Sequence, residues 1–144
     1  MPLDLAELRA GLAANVGAIV GLAVSPYYDA TANSVPPFGI VRPNPEVLID
    51  YHAAMQDGLE IAHMLVEVYA GAVGQNGDVT AQQLLDQYVA SSGPSSVREA
   101  IESDRQLAGA CQDLIVTACR SYTEYPRPDG ATLVGAQWAI DVYA

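Results

Sequence analysis

His63 and Glu67 stand four residues apart, a spacing that on a helix would stack an imidazole and a carboxylate on one face as two ligands of a metal ion. The segment that carries them, Leu59 to Ala70, reads instead as a strand. Ile61, Val66, Val68 and Tyr69 are β-formers, and Gly58 and Gly71 bracket the run. Along a strand four residues span about 13 Å, too far to share one ion. His63 is therefore expected as a strand residue and His52 as a loop residue. Cys111 and Cys119 lack the C-x-x-C spacing of a metal or redox pair and suit reduced, partly buried thiols. There is no G-x-S-x-G elbow, and no serine or cysteine lies close to a histidine in sequence. Gly11, Gly17 and Gly21 lack the lysine and preceding strand of a phosphate loop, so helix termination or close packing accounts for them better. Pairs of carboxylates for acid–base work meet in space and not in sequence, and among 17 acidic residues most must be solubilising charge. These residues predict no enzyme, no metal and no cofactor.

Charge narrows the classes further. The 144 residues carry six arginines, no lysine and a formal net charge of −11. Such a surface repels phosphate backbones, so gripping nucleic acid would require Arg98, Arg105 and Arg120 to cluster. The apolar run from Ala10 to Val24, interrupted by Asn15, falls short of the roughly 20 residues that span a bilayer. Asp4 and Glu7 stand where a signal peptide would carry positive charge, so a cytoplasmic chain without membrane partner is expected. With 51% hydrophobic residues, residues 1–144 suffice for one domain with one core.

The elements that must position any site follow from periodicity. Leu5, Leu8, Leu12, Val16 and Ile19 form one apolar stripe and predict a helix from Leu5 to Val20, with Asp4 as N-cap and Gly21 as a left-handed stop. Pro26, Pro36, Pro37 and Pro43 confine the next stretch to short strands, near Leu22 to Ser25 and Phe38 to Val41. Pro45 to Gly58 ends in an Asp57-Gly58 turn signal and is expected as a long hairpin loop before the strand Leu59 to Ala70. Thr80 begins a capping box for a helix from Ala81 to Ala90, and Ser96 begins one for a short helix through Ser103. Leu114 to Tyr125 and Thr132 to Tyr143 read as a C-terminal β-hairpin. On its second arm Val134, Ala136, Trp138, Ile140 and Val142 share one face, while Gly135, Gln137 and Asp141 share the face that meets water or a partner. The fold class expected is α+β: an N-terminal helix and two short helices packed on a mostly antiparallel sheet.

Tyrosines in loops and at strand ends can anchor protein contacts, because they bury large area at small entropic cost; for Tyr51 and Tyr122 contact and packing over their own core edge both stand open, and Tyr27, Tyr28, Tyr125 and Tyr143 are expected to pack. Two blocks then become informative. Residues 87–102, QYVASSGPSSVREAIE, and residues 133–144, LVGAQWAIDVYA, resemble the "helix, S-G-P, S-V-x-x-A-[IL]" block and the closing "L-G-A-x-[FW]-x-[VI]-x-V" strand of the tail terminator (tail completion) proteins of siphophages that infect actinobacteria. The leading helix, the prolines before Phe38 and the Tyr51 to Gly58 connection fall in that family's order. The resemblance implies a structural virion protein assembled in the host cytoplasm and seated in the neck, at the top of the tail. It implies a homo-oligomeric, hexameric ring on the head-proximal end of the tail tube. That ring would stop tube polymerisation, offer a docking surface to head-completion or connector proteins, and let DNA pass without specific binding. Interface residues expected on this reading are Tyr51, His52, Asp57 and Tyr122. A head-closure or connector protein is the nearest alternative. A small ligand-binding or enzymatic α+β domain is the other, and would show converging carboxylates or His52 beside His63.

Overall fold

The computed structural model describes residues 3–27, 36–51, 60–72, 78–127 and 132–144. The first helix, α1 (Leu5–Gly17), starts because the Asp4 carboxylate accepts hydrogen bonds from the N–H groups of Ala6 and Glu7. It stops three residues earlier than the apolar stripe predicts. Past Gly17 the chain tightens through bonds from Ile19 N–H to Val16 O and from Leu22 N–H to Ile19 O, and Gly21, at φ +83°, ends that turn. Asn15, the polar break in the apolar run, donates its side-chain amide to the carbonyls of Ile101 and Asp104.

Two strands follow, β1 (Ala23–Ser25) and β2 (Phe38–Pro43), where the prolines place them. A third, β3 (Ile49–Asp50), lies inside the stretch expected to be loop. It forms because the long strand β4 (Ile61–Ala72) offers backbone partners at Ile61 and Ala62 that β2, which pairs from Met64 onward, does not reach. The expected Asp57-Gly58 turn lies outside the described residues. Helix α2 (Asp78–Val89) begins at Asp78, so Thr80 sits in its first turn instead of capping it. Helix α3 (Val97–Ile101) has Ser96 as N-cap, its hydroxyl accepting from Glu99 N–H, although Glu99 turns its own carboxylate to Gly93 N–H and not back to Ser96. A 3₁₀ turn at Leu107–Gly109 leads into β5 (Asp113–Pro126) and β6 (Thr132–Tyr143), the expected hairpin arms.

The chain is α+β: the described residues form three α-helices and a six-stranded, mostly antiparallel sheet of order β1-β2-β4-β6-β5, with β3 extending the β2 side of β4. Among the described strands only β1 and β2 run parallel. One face packs under the helices. There Val66, Val68, Ala136, Trp138 and Ile140 meet Leu8, Leu12, Leu85 and Tyr88, all buried in a single core cluster. Such clustering stabilises by about 25 cal/mol per Å² of apolar surface removed from water. Gly11 lets α1 approach the 3₁₀ turn, since a Cβ there would stand 2.9 Å from Leu107 Cβ.

Candidate functional site

Alternation along the strands assigns a second set of residues to the helix-free face. Register aligns Phe38, Tyr69 and Gly135 in one row, Ile40, Glu67, Gln137 and Arg120 in the next, then Arg42, Leu65, Ala139 and Ala118, then His63, Asp141 and Ile115. Phe38, Ile40 and Leu133 form a separate apolar cluster here, with Tyr69 and Ala72 packed on it. Gly135 makes the row of rings possible: a Cβ at that position would come within 2.7 Å of Tyr69 Cδ1. In the space it leaves, Tyr69 packs against Phe38 at 5.1 Å and, edge on, against Tyr125 at 5.4 Å.

Beside these rings lies a charged group that a sheet face must neutralise. Glu67 is only 3% exposed. Arg42 Nε approaches its Oε1 at 3.0 Å, Gln137 donates to the same oxygen at 3.1 Å, and the Tyr69 hydroxyl donates to Oε2. Burial, then the neighbouring carboxylate, pushes the Tyr69 phenol well above its ordinary range, so it stays a donor. His63, one row from Arg42, makes a 2.7 Å contact through Nδ1 to Asp141. Ile61 and Leu65 flank it on the same face of β4, and Ile115 lies beyond Asp141 across the sheet. The two ligand-spaced residues thus take separate partners, and among the described residues no group of three or more His, Cys, Asp or Glu is placed to hold a metal ion. Arg42, Gln137 and Asp141 were not singled out as partners from sequence. Only the parity of β6, which places Gln137 and Asp141 on one face, pointed toward them.

The sheet's ends differ. β1 is three residues long, whereas β5 runs for 14 and is exposed at every residue from Thr117 to Glu124. Two irregularities interrupt β5: Thr117 is an extra residue between the Val116 and Ala118 pairings, and Ser121 and Tyr122 together oppose Ala136. Ser121 takes φ +57°, and Tyr122 turns toward α2, where its hydroxyl donates to Asp86 Oδ1 at 2.8 Å and to Gln82 O at 3.3 Å. Burial, then the neighbouring Asp86 carboxylate, pushes the Tyr122 phenol above its ordinary range.

Of the expected interface residues, Tyr51 follows β3 and is 61% exposed, and Tyr122, 43% exposed, is tied through its hydroxyl to its own helix. His52 and Asp57 lie outside the described residues. The structure brings Tyr51 and Tyr122 to different strands, β3's end and β5. Two of the three arginines whose clustering would favour nucleic acid are paired with acids of their own chain. Arg98 faces Glu102 at 3.5 Å, and Arg105 holds Asp113 through two bonds of 2.8 and 3.1 Å, which lowers the Asp113 carboxyl. Among the described residues no helix is long and apolar enough to cross a membrane. No protein-family model matches the chain, and a search of characterised proteins finds no significant relative.

Proposed function

We propose that this chain is a structural subunit of a phage tail: a tail terminator that forms a ring on the head-proximal end of the tail tube, stops its growth and receives the head-completion proteins. The observation that carries this reading is the pair of blocks at residues 87–102 and 133–144, which resemble the corresponding blocks of tail terminators of actinobacterial siphophages. They fall on the α2–α3 junction and on β6, elements that meet in the core through Tyr88, Val97 and Trp138. Two physical features support it. A sheet with unlike open edges can bind a copy of itself head to tail, and such contacts close into rings when the rotation closes. A net charge of −11 suits a lumen through which DNA slides without sticking.

Native mass measurement and electron microscopy of the purified protein, alone and with tail-tube subunits, test the proposal. The expected result is a ring of identical subunits that caps one end of the tube and halts its elongation. A protein that remains a monomer beside tube ends would overturn it.

A further inference from the structure

We infer that the subunits of this ring join by strand addition between unlike edges of the sheet: Ala118–Arg120 of β5 in one copy pairs antiparallel with β1 of the next, Val24 opposite Cys119. The inference rests on the ring reading above and specifies its contact.

Backbone hydrogen bonding selects the segment. At the start of β5, Leu114 N–H goes to Asp113 Oδ1 at 2.9 Å and Val116 N–H to Glu102 Oε2 at 3.3 Å. Donors given to side chains are unavailable to an incoming strand. Beyond the Thr117 irregularity no side chain among the described residues takes a backbone donor of Ala118–Arg120, and the Ser121–Tyr122 bulge closes the regular stretch at three residues. β1, at the far end of the sheet, is also three residues long, with Ala23 and Ser25 exposed.

Direction and parity agree with this match. Passing from β1 through one parallel and three antiparallel pairings leaves β5 running opposite to β1. Rotation about an axis along the strands preserves strand direction, so β5 of one copy meets β1 of the next antiparallel, and the sheet continues. Cys119 pairs with Trp138, and Val24 pairs with Gly39 beside Val68, both on the helix side. Placing Val24 opposite Cys119 therefore keeps each face of the joined sheet continuous.

Matching edge length, strand direction and face parity identify the occupant as a second copy, and one contact at the end of the joint is complementary in charge. In this alignment the end of β1 leads to Tyr27, on whose ring the Arg9 guanidinium lies 4.6 Å from the centroid while donating to Pro26 O. Arg9, Tyr27, Arg42, Pro43 and Pro45 line a surface hollow of about 560 Å³. Across the joint stands Val116, with the Glu102 carboxylate at its N–H. Arg9 thus faces, in the neighbour, a Glu102 carboxylate whose other oxygen lies 3.5 Å from that copy's own Arg98 Nε.

Directly opposed residues of an antiparallel ladder lie within the span a disulfide requires. The experiment is oxidation of assembled Val24→Cys protein, followed by denaturing gel analysis, with native mass measured on the same sample. Cys119 is exposed and Cys111 buried, so the native thiol serves as partner. Expected is a ladder of covalent multimers up to the ring's full number, absent from wild type, from Val24→Cys/Cys119→Ser and from Ser25→Cys, whose side chain points to the other face. Rings of full mass without links overturn the joint and leave the ring reading standing. A monomeric native mass overturns both. Wild-type links that stop at two copies mean that β5 pairs with β5, which also overturns the joint. Should Val24→Cys fail to fold, hydrogen exchange of the wild type decides: amides of residues 23–25 and 118–120 must slow on assembly, and unchanged exchange there rejects the inference.

Discussion

A buried carboxylate on a sheet face without helices is stable only if its charge is answered locally, and Glu67 has three groups that do so: Arg42, Gln137 and the Tyr69 hydroxyl. Removing one partner of such a set costs more than the set contributes net, because the remaining groups lose a partner in a site with little water. Glu67→Ala should lower unfolding free energy by about 2 kcal/mol, below the roughly 3–5 kcal/mol of a fully buried pair because the Arg42 side chain is 35% exposed. Glu67→Gln should cost less, about 1 kcal/mol, since the amide oxygen still accepts at the Oε1 position from Arg42 and Gln137, and only the Tyr69 hydroxyl at the Oε2 position loses its acceptor. Urea titration of the three proteins checks the order; equal stabilities would mean that the carboxylate contributes nothing to the fold. None of this was readable from the chain. Gln137 lies 70 residues from Glu67 in sequence, and only strand register brings them together. The sequence did place His63 and Glu67 too far apart to share an ion, because β-branched residues and bracketing glycines marked their segment as strand.

Elements were legible where local chemistry decides them and obscure where a neighbour does. Asp4 and Ser96 announce α1 and α3 by capping, and the parity of Val134 to Val142 announces the buried face of β6. β3 has no such signature, since two residues become a strand only when β4 lies alongside. Nor does β5 reveal its two irregularities: Ser121 carries no marker of a positive φ, yet the bulge it opens turns Tyr122 toward α2. That tether bears on Tyr122 as an expected contact residue. Tyr122→Phe keeps the ring area and removes the bonds to Asp86 and Gln82, so it should lower thermal stability by about 1 kcal/mol and leave the ring's native mass unchanged. Differential scanning calorimetry with native mass measurement separates the two roles. A ring lost while the melting temperature stays put would assign the hydroxyl to the interface and not to the helix.

At the scale of the whole molecule, short-range pairing must work against long-range repulsion. Each copy carries −11, and a ring gathers identical copies at close range. At about 0.01 M salt the screening length is roughly 30 Å, comparable to a small domain, so whole subunits repel; at 0.15 M it is about 8 Å, and only charges in near contact still interact. The proposed joint is mainly backbone hydrogen bonding and apolar contact, with Arg9 and Glu102 a single complementary pair at one end. Exposed pairs of that kind contribute about 0–1 kcal/mol. Repulsion among acidic surfaces therefore outweighs local attraction at low salt, and screening relieves more than it weakens. Raising sodium chloride from 10 to 150 mM should increase the assembled fraction at fixed protein concentration, measured by sedimentation velocity, with little further change up to 300 mM. A steady fall in assembly over the same range would show that ion pairs dominate the contact and would shift its centre from the strand edges to the arginine-lined hollow beside β1.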